Sequence, residues 1–169
     1  CQSIGRRRTK NEPEEPEDHA LGRGRGGFGS KLHLVTDGSA IPLAVTVTAG
    51  QAHESRSVEP VMNAVRIGRR RRPLRLAGDK AYSGRPVRSW LLRHGIKPVI
   101  PSKANQRPQR HFDKAAYRRR NVIERCVNWM KENRRLGTRY EKLAVNFLAM
   151  AKLAMIQRYF RVLDSSDRA

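Results

Sequence analysis

Four polar residues, Tyr117, Arg120, Glu124 and Lys131, are spaced three, four and seven positions apart in YRRRNVIERCVNWMKENRR (117–135). On a helix at about 100° per residue they share one narrow stripe. Val122, Ile123, Cys126, Val127, Trp129 and Met130 fill the adjacent, wider arc, which predicts a helix packed on a core. A lone carboxylate is thereby held beside an apolar seam, between two cations and a phenol. Two readings stand here: ordinary charge pairing on an amphipathic helix, or a helix that presents a carboxylate for chemistry. A second carboxylate, Asp79, follows the short apolar run LRLA (74–77). It is either a turn or capping residue, or a functional group at the C-terminal tip of a parallel strand, where α/β sheets bind ligands. Two or three converging carboxylates in a basic chain would cradle Mg²⁺, which prefers hard oxygen ligands. Paired ions of that kind activate an oxygen nucleophile and stabilise the leaving oxygen of a phosphodiester.

The charge balance points to the same kind of partner. Formal net charge is +21 over 169 residues, with Arg outnumbering Lys 27 to 9. Guanidinium is the better fork for phosphate oxygens, so the expected partner is a nucleic acid. A ribosomal or packaging protein would carry the same charge, so composition names the partner and not the activity. Cys1 and Cys126 make neither a disulfide framework nor a zinc site, and the five histidines are scattered. A reduced, cytoplasmic setting is expected, since no apolar run reaches the length of a membrane span and no signal peptide is visible.

The elements that must position these residues read as an α/β layout. Residues 1–30 are expected to be a basic and acidic arm followed by a Gly/Arg loop, LGRGRGGFGS (21–30), in which Arg23 and Arg25 would touch phosphates. Gly22, Gly24 and Gly27 fit a dinucleotide fingerprint, but no apolar strand precedes them, so that reading is rejected. KLHLVT (31–36) and IPLAVTVT (41–48) flank the D-G turn signal of Asp37-Gly38, which predicts an antiparallel hairpin. A helix is expected over 54–67, a strand at 74–77, a helix over 85–94 and a strand at 96–100. That strand–helix–strand order predicts parallel pairing with a right-handed crossover. The stretch 117–135 and a last amphipathic helix over 141–163 complete a core spanning 31–163, before a tail at 164–169.

Residue by residue, the helical stretch resembles the Y-(2)-R-(3)-E-(6)-K signature of bacterial insertion-sequence transposases of the DDE class. LAGDKAY (76–82) resembles their second-aspartate motif. GRGRGGFGSKLHLVTDG (22–38), TAGQAHES (48–55) and GTRYEKLAVNFLA (137–149) are similar to further family stretches, so the likeness runs from about His19 to Leu163. The resemblance implies an RNase H-like core, Mg²⁺ or Mn²⁺ as cofactor, and DNA at element ends and target as substrate. It also implies a homodimer associated with the nucleoid. Asp79 and Glu124 would be the second and third acidic metal ligands; Tyr117, Arg120 and Lys131 would position DNA or the glutamate.

The chain departs from the family pattern at the first catalytic aspartate. The family carries it on a strand before the hairpin, in a D-S/A-T context, and residues 1–20 hold nothing similar. Asp18 lies in a polar acidic segment and Asp37 in a turn. The expectation is that the first strand and its aspartate lie upstream of Cys1. The competing expectation is a catalytically dead DNA-binding remnant or a regulator of transposition.

Overall fold

The computed structural model describes residues 2–5, 17–24, 27–68, 72–109 and 111–166. Its centre is a hairpin in which β3 (Gly27–Thr36) pairs antiparallel with β4 (Pro42–Ala49). Asp37 builds the turn: its Oδ1 accepts from the amides of Ser39 and Ile41, both at 2.8 Å. Such a side-chain-to-backbone turn is what the D-G signal encodes. The hairpin is as read from sequence, although β3 starts earlier, inside the Gly/Arg stretch.

Successive strand residues face opposite sides of the sheet, and here both sides are covered. Leu32, Leu34, Val45 and Val47 face one core, with Cys126, Met130, Leu136, Phe147 and Ala151. The helices over that face are α4 (Val122–Glu132) and α6 (Ala144–Ser166). Val35 and Ala44 face a second core with Val58, Val61, Met62, Val87, Trp90, Leu91 and Ile100. There the cover is α1 (Val58–Ala64), α2 (Arg85–Arg93) and a parallel pair, β5 (Arg75–Ala77) with β6 (Lys97–Val99). The parallel pair and its intervening helix match the expectation from sequence.

Three expectations need correction. First, residues 1–20 do hold a strand: β1 (Gln2–Gly5) pairs antiparallel with β3, from Gln2 opposite Leu32 to Gly5 opposite Gly29. Its sequence, QSIG, has a single aliphatic residue, so no hydrophobic alternation marks it; the ladder is set by backbone pairing. Second, the Gly/Arg stretch is not a loop throughout. β2 (Gly22–Gly24) pairs with the first residues of β3, and Gly29 is opposite both Gly5 and Gly22. Strands therefore flank Gly29 on both edges. The crossing is tight: a Cβ at Gly50 would lie 2.4 Å from the Gly22 carbonyl oxygen and 2.7 Å from that of Gly29. Only glycine fits there. Third, 117–135 is not one helix. It divides into α3 (Lys114–Arg118), a 3₁₀ turn (Arg119–Asn121), α4, and α5 (Arg134–Gly137). Asn133 leaves the helical region at ψ 105°, ending α4, and its Oδ1 accepts from the Arg135 amide at 3.2 Å to start α5.

The expected mixed sheet is divided. Among the described residues β1–β4 form one antiparallel sheet and β5–β6 a separate parallel pair. Side chains tie the layers together. Buried Arg139 donates to the carbonyls of Glu141 (2.8 Å), Lys142 (2.8 Å) and His19 (2.6 Å) and to Ser30 Oγ, and lies over the Phe147 ring. The Tyr159 hydroxyl donates to the Pro42 carbonyl, pinning α6 to β4. The chain's two tryptophans divide between the cores. Trp90 stacks on His94 in the second, and Trp129 packs on the first with Arg158 and Arg161 each 5.6 Å from its ring.

Candidate active site

The second core does not close completely. A cavity of about 430 Å³ lies between β3 and β5, walled by α1, the end of β6 and the start of α4. Its walls are mainly aliphatic: Leu34, Val35, Val58, Val61, Met62, Leu76, Val87, Val99, Ile100, Val122 and Ile123. Asp37, Arg75, Asp79, Arg119 and Arg120 bring charge to it, and Tyr82 joins them in the lining.

Asp79 follows β5 by two residues, in extended backbone, and caps the 3₁₀ turn Lys80–Tyr82. Its Oδ1 accepts from the Ala81 amide at 2.8 Å. Oδ2 accepts no hydrogen bond among the described residues. The capping role weighed from sequence is therefore real, and it orients the carboxylate instead of consuming it. Burial, then the charges of Glu54 and Asp79, push the Tyr82 phenol well above its ordinary pKa, opposed by a hydrogen bond with Ser57.

On the opposite wall, Arg120 sits in the 3₁₀ turn that joins α3 to α4. Side chains at i and i+3 eclipse in such a turn, and the Arg120 guanidinium lies 5.7 Å from the Tyr117 ring centre. Phe112 packs against that phenol, tilted, with ring centres 5.4 Å apart. Arg120 Nη2 donates to Glu124 Oε1 at 2.6 Å. Burial works against the charge on Arg120, but the hydrogen bond to Glu124 and the charges of Glu124, Tyr117 and Asp79 outweigh it and raise its pKa. Arg120 thus connects Glu124, on the exposed side of α4, to the cavity that Asp79 lines.

Of the residues singled out from sequence, the fold brings Asp79, Tyr117, Arg120 and Glu124 to one region. Lys131 is exposed near the far end of α4 and does not line the cavity. Arg23 is exposed on β2, away from it. Arg25 lies outside the described residues. Cys126 is a free, buried thiol whose pKa burial raises, so it serves the core. Sequence reasoning missed Arg119, one of three adjacent arginines with no spacing signal, and His33. His33 is buried, lines the cavity and contacts Thr48 Oγ1 at 2.7 Å. Burial above all, with nearby positive charge including that of Lys31 adding to it, lowers its pKa to about 4. Among the described residues no three His, Cys, Asp or Glu side chains gather into a metal-binding group. No helix there is long and apolar enough to cross a membrane.

Comparison with known proteins bears on this arrangement directly. Residues 5–157 match the family described as a transposase DDE domain. Over 147 residues the chain is 31% identical to a Burkholderia cepacia protein named as a transposase for insertion sequence element IS402, covering 83% of this chain and 67% of the relative. A Brucella ovis protein named as a transposase for IS6501 is 26% identical over 137 residues, 78% of this chain and 98% of the relative. No solved structure matches the chain. With the family match spanning nearly the whole described fold, the chain belongs to the DDE-domain transposases of bacterial insertion sequences.

Proposed function

We propose that this chain carries out DNA strand cleavage and strand transfer at the ends of an insertion sequence, with Asp79 and Glu124 as its metal-holding carboxylates. The observation that carries the reading is the linkage just described: Arg120 holds Glu124 at 2.6 Å while lining the cavity that Asp79 also lines. The donor set suits a hard divalent ion. Asp79 Oδ2 and Glu124 Oε2 are carboxylate oxygens without a hydrogen-bond donor among the described residues, and Mg²⁺ is commonly held by one or two carboxylates together with waters and substrate phosphates. When bound, Mg²⁺ or Mn²⁺ supplies activation of the attacking oxygen and charge stabilisation at the leaving one. The protein's own part is positional. The Ala81 amide fixes Asp79, Arg120 fixes Glu124, and Tyr117 supports the Arg120 guanidinium. Arg119 and the wider basic surface hold the phosphate backbone, each contact adding about −0.9 to the slope of log affinity against log salt. An RNase H-like core, a homodimer and a nucleoid setting belong to the same proposal.

The net charge of +21 favours a second reading, a DNA binder without cleavage. Nicking of a duplex spanning the boundary of the element that encodes the chain separates the two. Mg²⁺-dependent nicking that Glu124→Gln abolishes supports cleavage; salt-sensitive binding with no nicking supports the binder. Nicking that survives both Glu124→Gln and Asp79→Asn would sink the assigned carboxylates.

A further inference from the structure

Asp79 stands inside a closed ring of backbone contacts. Upstream of it, the Gly78 amide donates to the Val99 carbonyl at 3.3 Å. Downstream, the turn closes through the Tyr82 amide on the Asp79 carbonyl (3.1 Å) and the Ser83 amide on the Lys80 carbonyl (3.2 Å). One side chain joins the two ends. Arg88 sits in the first turn of α2, and helical side chains lean toward the helix N-terminus, which brings its guanidinium back onto Ser83. Its Nε donates to the Ser83 carbonyl at 3.1 Å, and its Nη2 to the Ile100 carbonyl at 2.7 Å. Ile100 follows Val99 in the chain, so the ring runs through Val99, Gly78, Asp79, Ser83, Arg88 and Ile100. Gln109 locks the guanidinium: its Oε1 accepts from Arg88 Nη1 at 3.2 Å, while its Nε2 donates to the same Ile100 carbonyl at 2.8 Å.

We propose that Arg88, braced by Gln109, is a positioning residue for Asp79. It clamps the C-terminal ends of β5 and β6 together, so that the Asp79 carboxylate keeps one place in the site. This role rests on the reading of Asp79 as a metal-holding carboxylate. All three guanidinium nitrogens of Arg88 are taken up by protein acceptors. That sets it apart from Arg118 and Arg119, which are exposed and suit a phosphate backbone. Lysine is no substitute, because a single ammonium lacks the planar fork that reaches acceptors on separate elements. The contacts are also charge-assisted, and such hydrogen bonds are about twice as strong as neutral ones. Partners that orient a ligating carboxylate change metal affinity by about ten- to a hundredfold when they are removed.

The test uses the full chain carrying Arg88→Lys, with Gln109→Ala as a milder variant that keeps the arginine. Neither readout needs catalysis. Amide hydrogen exchange at Ala81, Tyr82 and Ser83 is expected to quicken about tenfold in Arg88→Lys, with the β3–β4 hairpin unchanged. Mn²⁺ affinity, read by water proton relaxation with element-end DNA present, is expected to weaken about tenfold or more. Gln109→Ala should move both in the same direction by less, while the salt dependence of DNA binding stays as in the unaltered chain. Exchange that is unchanged at 81–83, or quickened throughout the fold, overturns the clamp. A salt slope lowered by about 0.9 overturns it too, because Arg88 would then be a phosphate contact. If Asp79→Asn weakens Mn²⁺ binding and Arg88→Lys does not, Asp79 keeps its role and Arg88 loses its own. If Asp79→Asn binds Mn²⁺ as the unaltered chain does, the Asp79 reading itself fails, and the positioning role falls with it.

Discussion

Arg120 and Glu124, one turn apart across a junction of 3₁₀ and α-helix, are joined by a 2.6 Å charge-assisted hydrogen bond, and Arg120 lines the cavity that Asp79 also lines. An exposed i,i+4 pair contributes only about 0.3–0.5 kcal/mol to stability. Arg120→Lys keeps the charge but loses the fork. It is expected to leave the melting temperature almost unchanged, to lower strand cleavage by about ten- to a hundredfold, and to raise the Mg²⁺ concentration required. A fall in stability without a change in the Mg²⁺ requirement would count against orientation of Glu124.

Asp79 combines a cap with a free oxygen, and two substitutions separate them. Asp79→Asn retains an acceptor for the Ala81 amide, whereas Asp79→Ala removes it and costs about 1 kcal/mol. Both are expected to abolish metal-dependent cleavage. Urea unfolding should then place the Asn variant near wild type and the Ala variant below it.

His33 makes stability depend on pH. Its pKa is about 4 in the fold and about 6.5 when unfolded, so the unfolded chain binds the extra proton first. The contribution is fully present above pH 6.5 and is lost as pH falls from there to about 4. The whole span is worth about 3 kcal/mol at most. His33→Gln should flatten the pH dependence of unfolding free energy in that window. An unchanged slope would assign it to other groups.

Arg139 reaches three carbonyls and Ser30 Oγ from a position only 3% exposed. Hydrogen bonds to charged groups contribute about 1.5–3 kcal/mol each, with further cost for buried acceptors left alone. Arg139→Met is expected to destabilise the chain by about 3 kcal/mol or more, and Arg139→Lys to recover less than half. Denaturant titration reads both.

Where local chemistry and tertiary role agreed, the sequence was readable. Asp37-Gly38 announced its turn, and the β-rich runs at 31–36 and 41–48 announced an antiparallel hairpin; that both its faces are covered came from the fold. LRLA and IKPVI flanking a helix announced the parallel pair. The helix seam also held: Cys126 and Met130 are buried as their spacing required. What stayed hidden was made by backbone pairing alone. Neither QSIG nor GRG carries a hydrophobic period, yet both join β3. The helical wheel also assumed one α-helix through residue 120. The 3₁₀ turn advances about 120° per residue instead of 100°, rotating Tyr117 relative to Glu124 by about 60° over three residues while bringing Tyr117 under Arg120. For the site, residue types were legible, but the cavity that groups Asp79 with Arg119 and Arg120 depends on how two sheets are set apart.

The placement of Trp90 and Trp129 in different cores makes the protein its own optical gauge. With Trp90→Phe only the α4–α6 core emits; with Trp129→Phe only the α2 core does. Two separate melting curves would describe two half-proteins leaning on a shared hairpin, and one common curve a single cooperative body. Intrinsic fluorescence therefore measures how far the β3–β4 hairpin transmits order from the core under α4 and α6 to the core under α1 and α2.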